Sequence, residues 1–240
     1  MMISLIVVVC FIFLAFVFFD IFSTYAYKNA SQNAADAAAV AAASEAKDIY
    51  EEELAERLEQ EFAPFATRIR DAIRNDEEDD DDDDEAEANA VEEGSEEEPE
   101  EDAPSEDEQL REEAENRDAP DEVIDKIIDA TVPLTNEALF FFFTDEEITS
   151  MMCGAIKNNW SDIEDKANYF AQKNGAEEVA EMEFPYGGSF EIFVSVDTET
   201  TFITVPDEAF APGERDMRTE ASAGIPILEG VQFQSGSCNE

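Results

Sequence analysis

Histidine is absent from the chain, and Lys and Arg together number 14 against 62 Asp and Glu, leaving a formal net charge of -48. The lack of histidine removes the commonest general base and the commonest metal ligand. The shortage of cations excludes binding to nucleic acid, because so negative a surface repels phosphate. Cysteine is scarce too, at 3 residues, too few and too scattered for a zinc site or a disulfide-rich scaffold. Cys10 lies in an apolar stretch, so Cys153 and Cys238 are the candidate disulfide pair if the C-terminal part faces an oxidising compartment. Gly-rich phosphate loops and zinc spacings are missing, and neither serine nor cysteine has a histidine to activate it. Carboxylate pairs occur everywhere and so identify no glycosidase or protease. The expectation is a protein that is not an enzyme, with no catalytic residues, cofactor or metal.

One long hydrophobic run is present. Ile3 to Phe19 is apolar except for Ser4. Extended to Phe22, the run reaches the roughly 30 Å hydrocarbon thickness at about 1.5 Å per residue, with Asp20 near the interface. Tyr25 and Tyr27 then fall at headgroup level, where amphipathic rings are favoured. The competing reading is a cleaved signal peptide, with Thr24-Tyr25-Ala26 as its cleavage site. The run is longer than the usual apolar core of roughly 7–15 residues, and no Lys or Arg precedes it, which favours a retained anchor.

Ten of the 17 residues from Ala30 to Ala46 are alanine. Alanine is the strongest helix former, so the span should leave the membrane as one rigid helix. Its small side chains also allow another helix to approach closely. A solvated spacer and a close-packing helix both fit this composition.

The stretch "DIFSTYAYKNASQNAADAAAVAAA", Asp20 to Ala43, resembles the end of the membrane helix in Tad/Flp pilus assembly proteins of the TadE/TadG type. Those proteins show an aspartate ending the span, a tyrosine five residues on, and a Leu-Gln-Asn-Ala-Ala-Asp-Ala-Ala-Ala block. Asp20, Tyr25 and Gln32 to Ala39 match in identity and spacing. Ser31 stands where leucine is usual, and Phe22-Ser23 replaces a Gly-Arg pair. A second patch, "ANYFAQKNGAEEVAEMEF" with "FEIFVSVDTETTF" and "MRTEASA", is similar to the distal pattern of the same family. A prepilin-peptidase site, with glycine before the span and glutamate five positions on, is absent. The Asp-x-Ser-x-Ser metal motif of larger relatives is absent as well.

The resemblance implies a minor pilin-like or assembly component of a Tad/Flp pilus or secretion system. Its partners would be the lipid bilayer and other pilus subunits. It would sit in the inner (cytoplasmic) membrane as a single-pass protein, N-terminus inside and C-terminal domain outside. The assembly interface would comprise Asp20, Tyr25, Gln32, Asn33, Ala34, Ala35, Asp36 and Ala38. The alternative is a membrane-tethered binding module unrelated to pilus assembly, with the helix as spacer.

The segments expected are an anchor over 1–27, an extended helix over 28–75, an acidic linker over 76–108 and an α+β domain over 109–240. Tyr50, Leu54, Leu58 and Phe62 continue the helix as an amphipathic stripe, and Pro64 either kinks it or starts another. Asp76 to Glu108 holds 22 acids in 33 residues. Such a tract repels itself and cannot offset its ordering entropy by burial, which predicts disorder and lets the distal domain reach outward. It offers no spaced ligands with a turn glycine, so a specific calcium loop is not expected. Acid is abundant outside the tract too, and its self-repulsion at low salt suggests a saline habitat.

In the C-terminal domain, Asp121 to Val132 reads as an amphipathic helix. Capping boxes at Thr144–Glu147 and Ser161–Glu164 predict helices over 145–158 and 161–174, the second stopped by Gly175. Phe140 to Phe143 is too short to span a bilayer and reads as a shielded core segment. "EVAEMEF", "SFEIFVSV" and "TTFITV" read as strands, with Pro185 to Gly188 as the turn between the first two. Arg215–Ala223 and Glu229–Phe233 are further edge-strand candidates. The fold expected is helices packed on a small antiparallel sheet.

Overall fold

A computed structural model of the chain describes residues 2–80, 105–200, 202 and 215–238, with the backbone alone for residues 2 and 75–80. It shows an α+β architecture. A long helix, α1 (Met2–Asp80), is followed by α2 (Glu106–Glu115), α3 (Asp121–Ile128), α4 (Asn136–Phe142), α5 (Asp145–Asn158) and α6 (Trp160–Lys173). Then come strands β1 (Glu178–Glu183), β2 (Glu191–Glu199) and β3 (Asp216–Gly224), and a short 3-10 helix, Ser235–Cys238. The strands form one antiparallel sheet in the order β1-β2-β3.

α1 runs through the apolar segment, the alanine block and the amphipathic stripe, and Pro64 lies inside it. The linker expected over 76–108 falls mainly on residues 81–104, outside the described residues. At its edges α1 continues to Asp80 and α2 begins at Glu106.

The chain forms two compact units. The first joins Met1–Glu53 to Thr149–Glu240, and the second is Leu54–Ile148. The sequence pattern had placed a single domain over 109–240. The grouping differs because the stalk helix is not a free rod: its small and apolar faces are buried by other parts of the chain.

In the first unit, β2 supplies the centre. Phe190 precedes the strand and Ile192, Val194 and Val196 alternate along it, all almost fully buried. Side chains alternate across a pleated strand, so these four share the face covered by helices. α6 packs on β1, where the Asn168 side-chain oxygen accepts the Val179 backbone N–H at 2.9 Å. A ring cluster of Tyr50, Phe184, Phe190 and Phe233 closes one end, with neighbouring centroids 4.9–6.1 Å apart. Cys153 on α5 and Cys238 form a disulfide with Cα atoms 5.2 Å apart.

Glu229–Phe233 is not a strand, because Gly230 takes φ 96° in a turn and Phe233 folds its ring onto Phe190. Arg215–Ala223 does hold an edge strand, β3. Of "TTFITV", Thr201 and Ile203 to Val205 lie outside the described residues. The Ser161–Glu164 capping box does not form. α6 starts one residue earlier, and the Glu164 carboxylate is taken by the indole N–H of Trp160 at 2.8 Å.

In the second unit, Leu54, Leu58, Phe62, Phe65 and Ile69 bury the stripe on α1. Arg70 donates to the Ile127 carbonyl at 2.8 Å, and Lys126 pairs with Glu59 at 2.9 Å. α3 ends at Ile128 rather than 132, because the Asp129 carboxylate accepts the backbone N–H and hydroxyl of Thr131 and turns the chain. That bonding also holds the Asp129 carboxyl below its usual range. Phe141 and Phe142 meet the Phe65 ring edge-on at 5.4 and 5.6 Å, whereas Phe140 is exposed. Only part of the phenylalanine run is therefore shielded. The Thr144–Glu147 capping box is reciprocal, with 2.9 Å and 3.3 Å bonds. Ser105 and Glu108 make the same box ahead of α2.

Candidate assembly interface

From Ile3 to Phe22 the apolar side chains of α1 are exposed, and this helix is long and apolar enough to cross a membrane. Burying about 20 apolar residues in lipid stabilises them by the same area term that builds a protein core. Where the run ends, the Thr24 hydroxyl donates back to the Asp20 carbonyl at 2.9 Å, and Tyr25 is exposed. A shallow groove lined by Phe19, Phe22, Ser23, Ala26, Tyr27 and Ala30 marks the exit from the apolar segment.

Beyond Ala30 the helix has two faces. One is packed inside its own chain: Ser31, Ala34, Ala35, Ala38, Ala39 and Ala42 have no more than 1% of their surface exposed. Three hydroxyls lock this face to the sheet. Ser31 Oγ lies 2.7 Å from Thr219 Oγ1 on β3, and Thr198 Oγ1 on β2 donates to Ser31 Oγ at 3.0 Å. Gln32 Nε2 donates to Asp36 Oδ1 at 3.0 Å and to the Glu220 carbonyl at 3.4 Å, covering part of the β3 edge. Further along, Lys166 on α6 pairs with Glu45 at 3.0 Å, and the buried Tyr50 donates its hydroxyl to the Pro226 carbonyl. Burial first, then the nearby Glu51 charge, pushes the Tyr50 phenol up to about 12.

The other face of the same turns is open. Asn33, Asp36 and Ser44 are exposed, and Val40 exposes 63% of its surface, the largest share of any bulky apolar residue past Tyr25 among the described residues. The eight residues of the expected interface therefore divide. Ala34, Ala35 and Ala38 are fully buried within the same chain. Tyr25, Gln32, Asn33 and Asp36 are exposed, and Asp20 is half-buried at the end of the apolar run.

Sequence reasoning treated Ser31 only as a departure from leucine. Its role was invisible because both of its partners are more than 160 residues away. The nearest signal was a lone hydroxyl in an alanine row. Among the described residues, no group of three His, Cys, Asp or Glu side chains is placed to hold a metal ion.

The stretch "MRTEASA" packs directly on the alanine helix through Thr219. No curated protein and no solved structure matches the chain. Residues 1–45, comprising the exposed apolar segment and nearly all of the alanine block, match the family model of putative Flp pilus-assembly TadE/G-like proteins, and this supports a Tad pilus-associated role.

Proposed function

We propose that the chain is a minor pilin-like or assembly component of a Tad/Flp-type pilus or secretion system, held in the cytoplasmic membrane by one span. Its N-terminus lies inside and residues 28–240 lie outside. The observation that carries this is the coincidence of the family match over residues 1–45 with a helix that keeps one face free there. Other pilus subunits meet that free face, through Tyr25, Gln32, Asn33, Asp36 and Val40. The role is mechanical rather than catalytic. The domain rides on the helix, and no linker is needed to hold it away from the anchor.

Photo-crosslinkers placed at Asn33 and Val40 of the full-length protein in its own cells test this. Adducts with other pilus components are expected. Adducts with lipid or unrelated proteins alone, in cells that express those components, overturn it.

A membrane-tethered binding module is the second reading. The sheet face opposite the helices favours it, because Tyr186 there stacks on Phe193 at 4.8 Å and stays 37% exposed. Deleting the pilus genes separates the readings: the module keeps its ligand, and the assembly component loses its complex. The acid excess is read as an adaptation to saline surroundings, and a melting temperature that rises with NaCl checks it.

A further inference from the structure

Two sets of contacts fix the direction of the sheet along α1. Ser31 meets Thr198 and Thr219, and Tyr50 meets Phe190 and Pro226. On the helix these points are 19 residues apart, about 28 Å of rise. On β2 the matching points, Phe190 and Thr198, are 8 residues apart, about 26 Å of extended strand. The near equality means that β2 runs almost antiparallel to α1 and β3 almost parallel to it. The sheet is thus aligned with the stalk, and the Thr198 and Met217 end of the paired strands points back toward the apolar segment.

The height of that end of the sheet follows. Ser31 lies nine residues past Phe22, about 13 Å above the end of the apolar run. The pairing continues below Thr198 to Thr200, whose backbone N–H donates to the Arg215 carbonyl at 3.0 Å. Two strand residues lower that point by about 7 Å. It then stands about 6–7 Å above Phe22, inside a headgroup layer roughly 5–8 Å thick.

We propose that the Thr198–Thr200 and Arg215–Met217 end of the sheet is a membrane-facing surface that rests in the lipid headgroup layer, and that the Ser31–Thr198–Thr219 hydroxyl cluster sets its height. The Phe190 and Pro226 end of the sheet correspondingly faces away from the membrane. This rests on the anchor reading of Ile3–Phe22. The occupant is the zwitterionic headgroup region, because a chain of net charge -48 is repelled by an anionic one. The sheet sits down on the bilayer beside its own anchor.

The test uses full-length protein in phosphatidylcholine nanodiscs, with methyl signals of Met217, Ile225 and Ile6 followed by NMR. A nitroxide on the lipid headgroup is expected to abolish the Met217 signal and leave Ile225 at full intensity. A nitroxide deep in the acyl chain is expected to abolish Ile6. If Ile6 is lost but Met217 survives, or Ile225 is lost with it, the membrane-facing assignment is wrong while the anchor stands. If Ile6 survives the deep label, the anchor reading fails and takes the proposal with it. In the Ser31→Ala/Thr219→Val variant, a Met217 signal at least partly regained is expected. An unchanged loss of Met217 in that variant removes the height-setting role from the hydroxyls.

Discussion

Ser31 Oγ and Thr219 Oγ1 stand 2.7 Å apart although 188 residues separate them. Thr198 completes the cluster from the neighbouring strand. A hydrophobic residue in place of Ser31 would leave the buried Thr198 hydroxyl and the half-buried Thr219 hydroxyl without that partner. Ser31→Ala should therefore lower stability by about 1–3 kcal/mol. Ser31→Leu, which restores the residue usual in similar sequences, should cost more, because its bulk is added to a contact where the helix surface is buried. Denaturant titration of the full chain in micelles, set beside the Thr219→Val variant, checks both. The double variant Ser31→Ala/Thr219→Val should cost less than the sum of the two single changes.

Ala34 and Val40 lie on different faces of one helix, about 120° apart, the first fully buried and the second largely exposed. Ala34→Leu should destabilise the first unit by about 1–3 kcal/mol through overpacking, measured as a lower melting temperature. Val40→Glu should leave the melting temperature nearly unchanged. If the open face meets other subunits, Val40→Glu reduces their recovery with the protein, whereas a stable but unassembled Ala34→Leu protein would place the interface on the alanine side.

Tyr50 gives the fold a pH limit at the alkaline end. Its phenol titrates at about 12 in the folded chain, raised by burial and by Glu51, against an unfolded value of 10.0. The neutral form is the one the fold prefers. Its contribution is complete below pH 10 and is lost as the pH rises through 12. Within that window stability should fall by up to about 1.4 kcal/mol per pH unit from this group. Other phenols and lysines titrate nearby, so the quantity to measure is the difference from Tyr50→Phe. That variant should be about 1 kcal/mol less stable at neutral pH, for want of the bond to Pro226, and less sensitive between pH 10 and 12.

The Cys153–Cys238 disulfide joins residues 85 apart and ties the 3-10 helix to α5, where Lys157 also donates to the Cys238 carbonyl. Restricting so long a loop in the unfolded chain is worth roughly 2–5 kcal/mol. Reduction, or Cys153→Ser with Cys238→Ser, should lower the melting temperature by several degrees. Thiol alkylation of protein taken directly from cells should label Cys10 alone if the domain is exported, and all three cysteines if it stays in a reducing compartment.

Much of the local structure was legible in the chain. The capping box at Thr144 and Glu147 marked where α5 starts, and the alternation in β2 marked which residues are buried. Where two local patterns competed, the reading failed. Ser161 and Glu164 had the spacing of a cap, but Trp160 took the carboxylate, a choice that depends on where the indole packs. Asp129 stopped α3 early through its bonds to Thr131, which the apolar periodicity of Asp121 to Val132 did not register.

The sequence by itself determined the exposed apolar helix, the alanine block after it, the acid excess and the existence of a small antiparallel sheet. Each follows from composition or from periodicity within a few neighbouring residues. Only the tertiary structure decided what the alanines touch. Small side chains permit close approach by any partner, and periodicity carries no information on whether that partner is a second subunit or a strand of the same chain. The three hydroxyls of Ser31, Thr198 and Thr219 resolved that choice, because buried polar groups require partners at hydrogen-bond distance and find them only where the fold brings distant segments together.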